Sequence, residues 1–275
     1  MGTQMELLEK LIAEKNAGHK GGVYNKLQVD FAYNSNHIEG SRLTHDQTRY
    51  IYETKTVGVG IDKTEAAVRV NDVIETVNHF RCFDFILDTV SQPVDEAYIK
   101  QLHAILKTGV MDNSAVIGEY KKEANYVADL KTVSPEGVSD AVKKLLSEYD
   151  QSNMTLLDIA EYHMKYERIH PFYDGNGRTG RLLMFKQCLA NDILPFIIDD
   201  NDKMFYYMGL KEWQTEDKNE RLINVLLASQ DNMAAVLDYF GIEYNRGADN
   251  YKDVIQCFES DNNLLDLTEK HNNRS

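Results

Sequence analysis

Only four prolines, Pro93, Pro135, Pro171 and Pro195, interrupt a chain of 275 residues. Proline removes a backbone donor and clashes with the preceding turn, so long proline-free stretches leave the helix open to the chain. Between these four residues the apolar positions recur every three or four places, the period of one helix face. "MELLEKLIAEKNAG" reads as a helix stopped at Gly18, and "NKLQVDFAYNSNHIEG" as a second ended at Gly40. "THDQTRYIYET" opens with Thr44 and Gln47 at capping-box spacing. Segment 63–90 is a long amphipathic run with Val70, Val73, Ile74, Val77 and Phe80 on one stripe. Six more helical stretches follow, the last being "ERLINVLLASQDNMAAVLDYF". Residues 110–133 break the period; Gly118, Tyr120, Tyr126, Val127 and Val133 make them read as a short hairpin. The polar, Asn-rich stretch 245–275 reads as a frayed helix or disorder. The class is mainly α, with one small hairpin.

Apolar residues make up 43% of the chain, enough for a sizeable core, and no apolar run approaches the length of a membrane span. No basic-then-apolar leader is present, so a cytoplasmic protein is expected. Cys82, Cys188 and Cys257 are scattered and odd in number, which suits a reducing compartment and no disulfide framework. The net charge of −14 argues against nucleic acid and anionic membrane as partners.

Against that acidic background, "HPFYDGNGRTGR" at 170–181 concentrates chemistry. Gly175-Asn176-Gly177 stands directly before a helical pattern, where backbone N–H groups converge and the helix dipole favours an anion. Arg178 and Arg181, three residues apart, share a side of the first turn and suit polyphosphate. Asp174 is a hard oxygen donor beside them, and one carboxylate plus substrate phosphates is a usual way to hold Mg2+. His170 can take a proton near neutral pH. These groups together point to metal-assisted transfer from a nucleotide onto a hydroxyl. "GNGRTG" also matches a dinucleotide fingerprint, but the polar helical "HMKYERIHPF" precedes it where an apolar strand is required. His103 and His163 read as structural, and His163 with Glu167 lacks a third ligand for zinc.

The string resembles the Fic family motif, HPFx(D/E)GNGRxxR, at every fixed position. "LHAILKTGV" resembles the helix before the family's flap, "IGEYKKEANYV" the flap hairpin, and "MFYYMGLKEW" the segment lining the nucleotide base. The resemblance covers roughly residues 95–215 and implies a helical bundle with a β-hairpin flap, in which AMP passes from ATP to a protein hydroxyl. It divides the chain into an N-terminal helical region (1–95), a catalytic core (96–215) and a helical extension with a polar tail (216–275).

By that resemblance His170 would be the general base and Asp174 would hold Mg2+. The 175–177 backbone and Asn176 would cradle the α phosphate, with Arg178 and Arg181 on the phosphates. Tyr206 and Tyr207 would line the base and ribose pocket. Gly118, Tyr120 and Lys121 would belong to a flap that docks the target segment; the family often has arginine where this chain has Lys121. "SNHIEG" fits the family's inhibitory pattern (S/T)xxxE(G/N) through Ser35, Glu39 and Gly40. Glu39 would pair with Arg181 in place of the γ phosphate and leave ATP misaligned, and misplacement by about 1 Å can cost ~100-fold in rate.

The partners implied are ATP and target proteins bearing a Ser, Thr or Tyr hydroxyl, with self-modification and homo-oligomers as further expectations. The same carboxylate would equally let Glu39 direct water to remove AMP from a modified protein. A nucleotide-sensing scaffold is the non-enzymatic alternative, which would need neither His170 nor Asp174. The apolar helical runs at 66–87 and 222–240 read as core rather than interface.

Overall fold

The computed structural model describes residues 3–57, 68–111, 117–127 and 130–244. The expected polar tail, 245–275, and Cys257 lie outside them. In chain order come α1 (Thr3–Ala17), α2 (Val23–Ile38), α3 (His45–Thr54), α4 (Val70–Asp88) and α5 (Glu96–Lys107), then the strand pair β1 (Tyr126–Val127) and β2 (Leu130–Lys131). They are followed by α6 (Val138–Ser147), α7 (Leu156–Ile169), α8 (Asn176–Ala190), α9 (Lys203–Glu216) and α10 (Glu220–Phe240). The strands are antiparallel, with Tyr126 opposite Lys131 and Val127 opposite Leu130. The fold is thus mainly α, and no described helix is long and apolar enough to cross a membrane.

Local signals set several boundaries. Thr44 and Gln47 do form a reciprocal capping box at the start of α3, and Thr155 and Asp158 form another at the start of α7. α8 is buried on nearly every side, which is why its sequence shows little amphipathicity. It runs through the middle of the bundle and carries the arginines of the glycine-rich string inward. Phe31 of α2, Phe83 of α4 and Phe185 of α8 meet with ring centroids 5.2–6.1 Å apart. Each is 1% exposed or less, and full burial of such a side chain stabilises by roughly 1.5–3 kcal/mol. This trio locks α2 and α4 against α8. One large apolar cluster extends from Leu7 in α1 to Ile242 after α10, and a smaller one gathers Ala32, Leu43, Ile51 and Phe80.

α4 departs from the sequence expectation. Val70 is exposed, and Val73, Ile74 and Val77 are only half-buried. The face turned inward over the first half of the helix carries Asp72, Thr76, Asn78 and His79. Much of that polar stripe is partnered: Asp72 accepts the Arg42 N–H, Thr76 meets Asn36 of α2, and Asn78 donates to the Leu106 and Thr108 carbonyls at the end of α5.

Candidate active site

The loop between α7 and α8 is held in a strained shape by its neighbours. His170 closes α7 at φ 49°, a left-handed conformation that costs a non-glycine residue roughly 1–2 kcal/mol. Its own N–H caps Tyr166 at 2.9 Å. Phe172, wholly buried, stacks on His103 at 3.8 Å. His103 receives the Gly118 N–H on Nδ1 at 3.1 Å, so Nε2 carries the proton and donates to the Asp174 carbonyl at 3.0 Å. Asn176 accepts the Phe172 N–H at 2.8 Å and donates to the Phe172 carbonyl at 2.9 Å. Gly175 takes φ 82° and caps α8 without a side-chain acceptor, so the first N–H groups of α8 remain available to a ligand.

Beneath those N–H groups lie two buried arginines. Arg181 donates from Nη2 to Glu39 Oε1 at 2.7 Å and to the Ser35 carbonyl at 2.9 Å, and from Nε to the Ser35 hydroxyl at 3.1 Å. Burial works against its charge, but Glu39 outweighs this and raises its pKa. Arg178 reaches Glu75 at 2.6 Å and Asp174 at 3.3 Å. Lys107 completes a ring, with Nζ 2.5 Å from both Glu75 and Asp174. Burial alone would raise the Asp174 carboxyl; Arg178 and Lys107 hold it at about 2. Nη1 of Arg181 and Nε of Arg178 are buried donors without a partner.

Two cavities meet at Glu39. One, of about 460 Å3, is lined by His170, Gly177, Glu167, Tyr206, Tyr207 and Glu39. The other, of about 210 Å3, is lined by Asp174, Arg178, Glu75, Lys107, Asn36 and Glu39. The Glu39 side chain, 28% exposed, stands between them, and a Cβ on Gly177 would collide with its carboxylate. Ser35, at the end of α2, is buried beneath Arg181, and Gly40 follows at φ 90°. In the larger cavity burial, aided by the Lys121 charge, lowers His170 to about 4, so the imidazole is neutral and able to accept a proton at pH 7. Burial raises the neighbouring Glu167 carboxyl to about 8.

Several expected roles change. The Asn176 side chain is spent on the Phe172 backbone and does not face a ligand, which leaves only its N–H for an anion. Lys121 is 4% exposed; its Nζ donates to Asn125, Thr132 and the Ile169 carbonyl, and its N–H to the Pro171 carbonyl. It therefore roots the flap to the His170 loop and offers nothing to a target. Gly118 is likewise engaged with His103, and Tyr120 bonds Glu96 at 3.2 Å while packing on Phe172. The strand pair lies further on, at 126–131, where Tyr126 is 64% exposed and, with Leu130, lines the larger cavity. Tyr206 is fully buried and its hydroxyl meets His163 Nε2 at 2.6 Å, whereas Tyr207 donates to the Ile38 carbonyl at 3.4 Å. Met204 and Met208 on the outer side of α9 complete the wall. Sequence reasoning passed over Glu75 and Lys107. Among the described residues no three His, Cys, Asp or Glu side chains are placed to hold a metal by themselves.

A bundle with a buried central helix, a histidine-headed glycine loop at its start and two arginines below defines a class. Residues 93–188 match the Fic/DOC family. It is 29% identical over 184 residues to the protein adenylyltransferase Fic of Nematostella vectensis, covering 66% of this chain and 42% of that protein. It is 31% identical over 186 residues to the protein adenylyltransferase fic-1 of Caenorhabditis elegans, covering 66% and 35%. The chain thus spans less than half the length of these curated relatives. Its fold is similar to a Fic domain-containing signaling protein of Bacteroides thetaiotaomicron, with a TM-score of 0.66 and 23% identity over 84% of this chain and 94% of that one.

Proposed function

We propose that this chain is a protein adenylyltransferase that moves AMP from ATP to a Ser, Thr or Tyr hydroxyl of a target protein and is restrained by its own Glu39. The observation that carries this reading is the shared cavity: neutral His170 and the uncapped start of α8, with Arg181 beneath, converge beside one space. The similarity to two named adenylyltransferases supports it. ATP would lay its phosphates over the 175–177 backbone and its base toward Tyr206, Tyr207, Met204 and Met208. His170 takes the proton of the target hydroxyl as that oxygen attacks the α phosphorus. The bond from this phosphorus to the β-phosphate bridging oxygen breaks, and pyrophosphate leaves with the electron pair.

Asp174 fits a Mg2+ ion: it is ionised, partly exposed and borders a polar cavity with room for waters. Such an ion would neutralise charge on the α and β phosphates. Glu39 occupies Arg181 and so competes with the γ phosphate for the same guanidinium. The hydroxyl would arrive past the strand pair at 126–131, whose backbone edge suits pairing with an extended segment; the same cavity would admit a hydroxyl of a second copy.

The position of Glu39 on the wall of the His170 cavity favours a second reading. Its carboxylate would direct water at an AMP-modified residue and release AMP. Transfer of label from α-labelled ATP to protein, increased by Glu39→Gly and abolished by His170→Ala, is the outcome expected of the adenylyltransferase. Absence of label from every form, with AMP released from a modified protein only while Glu39 is intact, would replace it with the second reading. A scaffold without turnover would lose nothing on His170→Ala.

A further inference from the structure

The ring formed by Glu75, Lys107, Asp174 and Arg178 alternates in sign and closes on itself. Lys107 is 1% exposed and sits in the last turn of α5. Its Nζ lies 2.5 Å from Glu75 Oε1 and 2.5 Å from Asp174 Oδ2. Glu75 is fixed from its other side, since Oε2 holds Arg178 at 2.6 Å. One ammonium therefore stands between two carboxylates that would otherwise suit a divalent ion, beside a cavity of about 210 Å3 lined by all four residues.

We infer that Lys107 is an internal counter-cation: it holds Asp174 in the resting site, and a divalent ion arriving with nucleotide must move it off Asp174 and onto Glu75. This rests on the proposed role of Asp174 and deepens it. A buried ammonium without a carboxylate is strongly disfavoured, so its displacement from Asp174 is tolerable only because Glu75 keeps it paired. The two helical residues then have opposite effects on the metal. Lys107 competes with it for Asp174, while Glu75 draws the competitor away. Lys107 and Glu75 are positioning residues, and together they set how much divalent ion the site requires.

The test reads binding without turnover. In a Glu39→Gly background, which removes the pairing at Arg181, calorimetry gives the affinity for adenylyl imidodiphosphate with and without Mn2+. The quantity compared is the factor by which Mn2+ tightens binding. Lys107→Met raises that factor about tenfold, a typical coupling between adjacent sites, and Lys107→Arg, which keeps the charge, leaves it near the parent value. Glu75→Gln lowers it, because Lys107 is left with Asp174 as its only carboxylate. Asp174→Asn removes the Mn2+ effect in every form. If the Lys107→Met and Glu75→Gln factors move in the same direction, or if neither moves, the counter-cation role is overturned while the Asp174 assignment stands. If Asp174→Asn leaves the Mn2+ effect intact, both fall together. Should Lys107→Met fail to fold, Glu75→Gln decides alone: an unchanged or larger factor sinks the inference.

Discussion

Two irregular segments border the same cavity and are held in different ways. The loop 170–175 is tied from within: Phe172 is sunk in the core, and His103, Asn176 and Asn125 each bond its backbone. The flap is tied along its base, through Gly118 to His103, Tyr120 to Glu96, and Lys121 and Asn125 to the loop itself, while Tyr126 beyond them is exposed. The loop is preorganised and the flap tip is presented to solvent, as would suit a fixed reaction centre beside a surface that accepts varied segments. The loop should therefore answer to substitution with changes in rate and stability, and the flap tip with changes in target binding.

The largest expected effect is at the head of the loop. His170→Ala should reduce label transfer by about 10²–10⁴-fold, the usual contribution of a positioned base, with nucleotide affinity retained in a filter-binding measurement. Loss of nucleotide affinity to the same degree would show that His170 binds rather than catalyses. Glu39→Gly should raise transfer about 100-fold if misalignment is what restrains the site. It should also lower the melting temperature, since Arg181 loses its carboxylate and keeps only the Ser35 contacts. Asn176→Ala tests the staple: the buried Phe172 N–H and carbonyl lose one partner each, at a cost of about 1–3 kcal/mol in denaturant unfolding.

Lys121→Met sharpens the comparison because this residue joins the two segments. Its charge helps depress His170, which titrates at about 4 with that lysine in place. The sign is definite: a depressed base stays active until pH falls through its lowered pKa, so the acid limb of kcat/KM should lie near pH 4. Removing the nearby positive charge should shift that limb to higher pH. An unmoved limb would place the lysine's influence in structure alone. Burial likewise depresses His79, His103 and His163. The unfolded chain therefore takes up protons that these residues refuse in the native state, and stability should fall as pH drops from about 6.5 toward 4.

The helical class and the glycine-rich loop were legible in sequence because each rests on local signals: period, capping residues and a short string in which neighbours cooperate. The charge ring was not legible. Glu75 and Lys107 are single charges on two ordinary-looking helices, and the valine stripe of α4 marks only one of its two packed faces, the one where Val73, Val77 and Phe80 join a small apolar cluster. A polar stripe at 72, 76 and 78 resembles a solvated surface until Arg42, Asn36 of α2 and the carbonyls at the end of α5 supply its partners. The hairpin was legible in part, since Tyr126 and Val127 form β1, but the docking roles of the residues before it were not. Gly118, Tyr120 and Lys121 carry turn and strand chemistry, but a buried ammonium bonded to three oxygens is a tertiary fact that no period reveals.

The smallest expected effect on the protein itself is at the flap tip. Tyr126 is 64% exposed, and the structure gives its side chain no ring contact or hydrogen bond, only a place on the cavity wall. Tyr126→Ala should leave stability within about 0.5 kcal/mol, as exposed substitutions generally do. Its effect should fall on KM for a protein target, with the rate at saturating target unchanged, because the ring would contact the incoming segment and not the reacting atoms. A fall in kcat with KM constant would instead tie the flap tip to the alignment of His170. The two segments would then act as one device, and the division between a rigid centre and an adaptable rim would have to be abandoned.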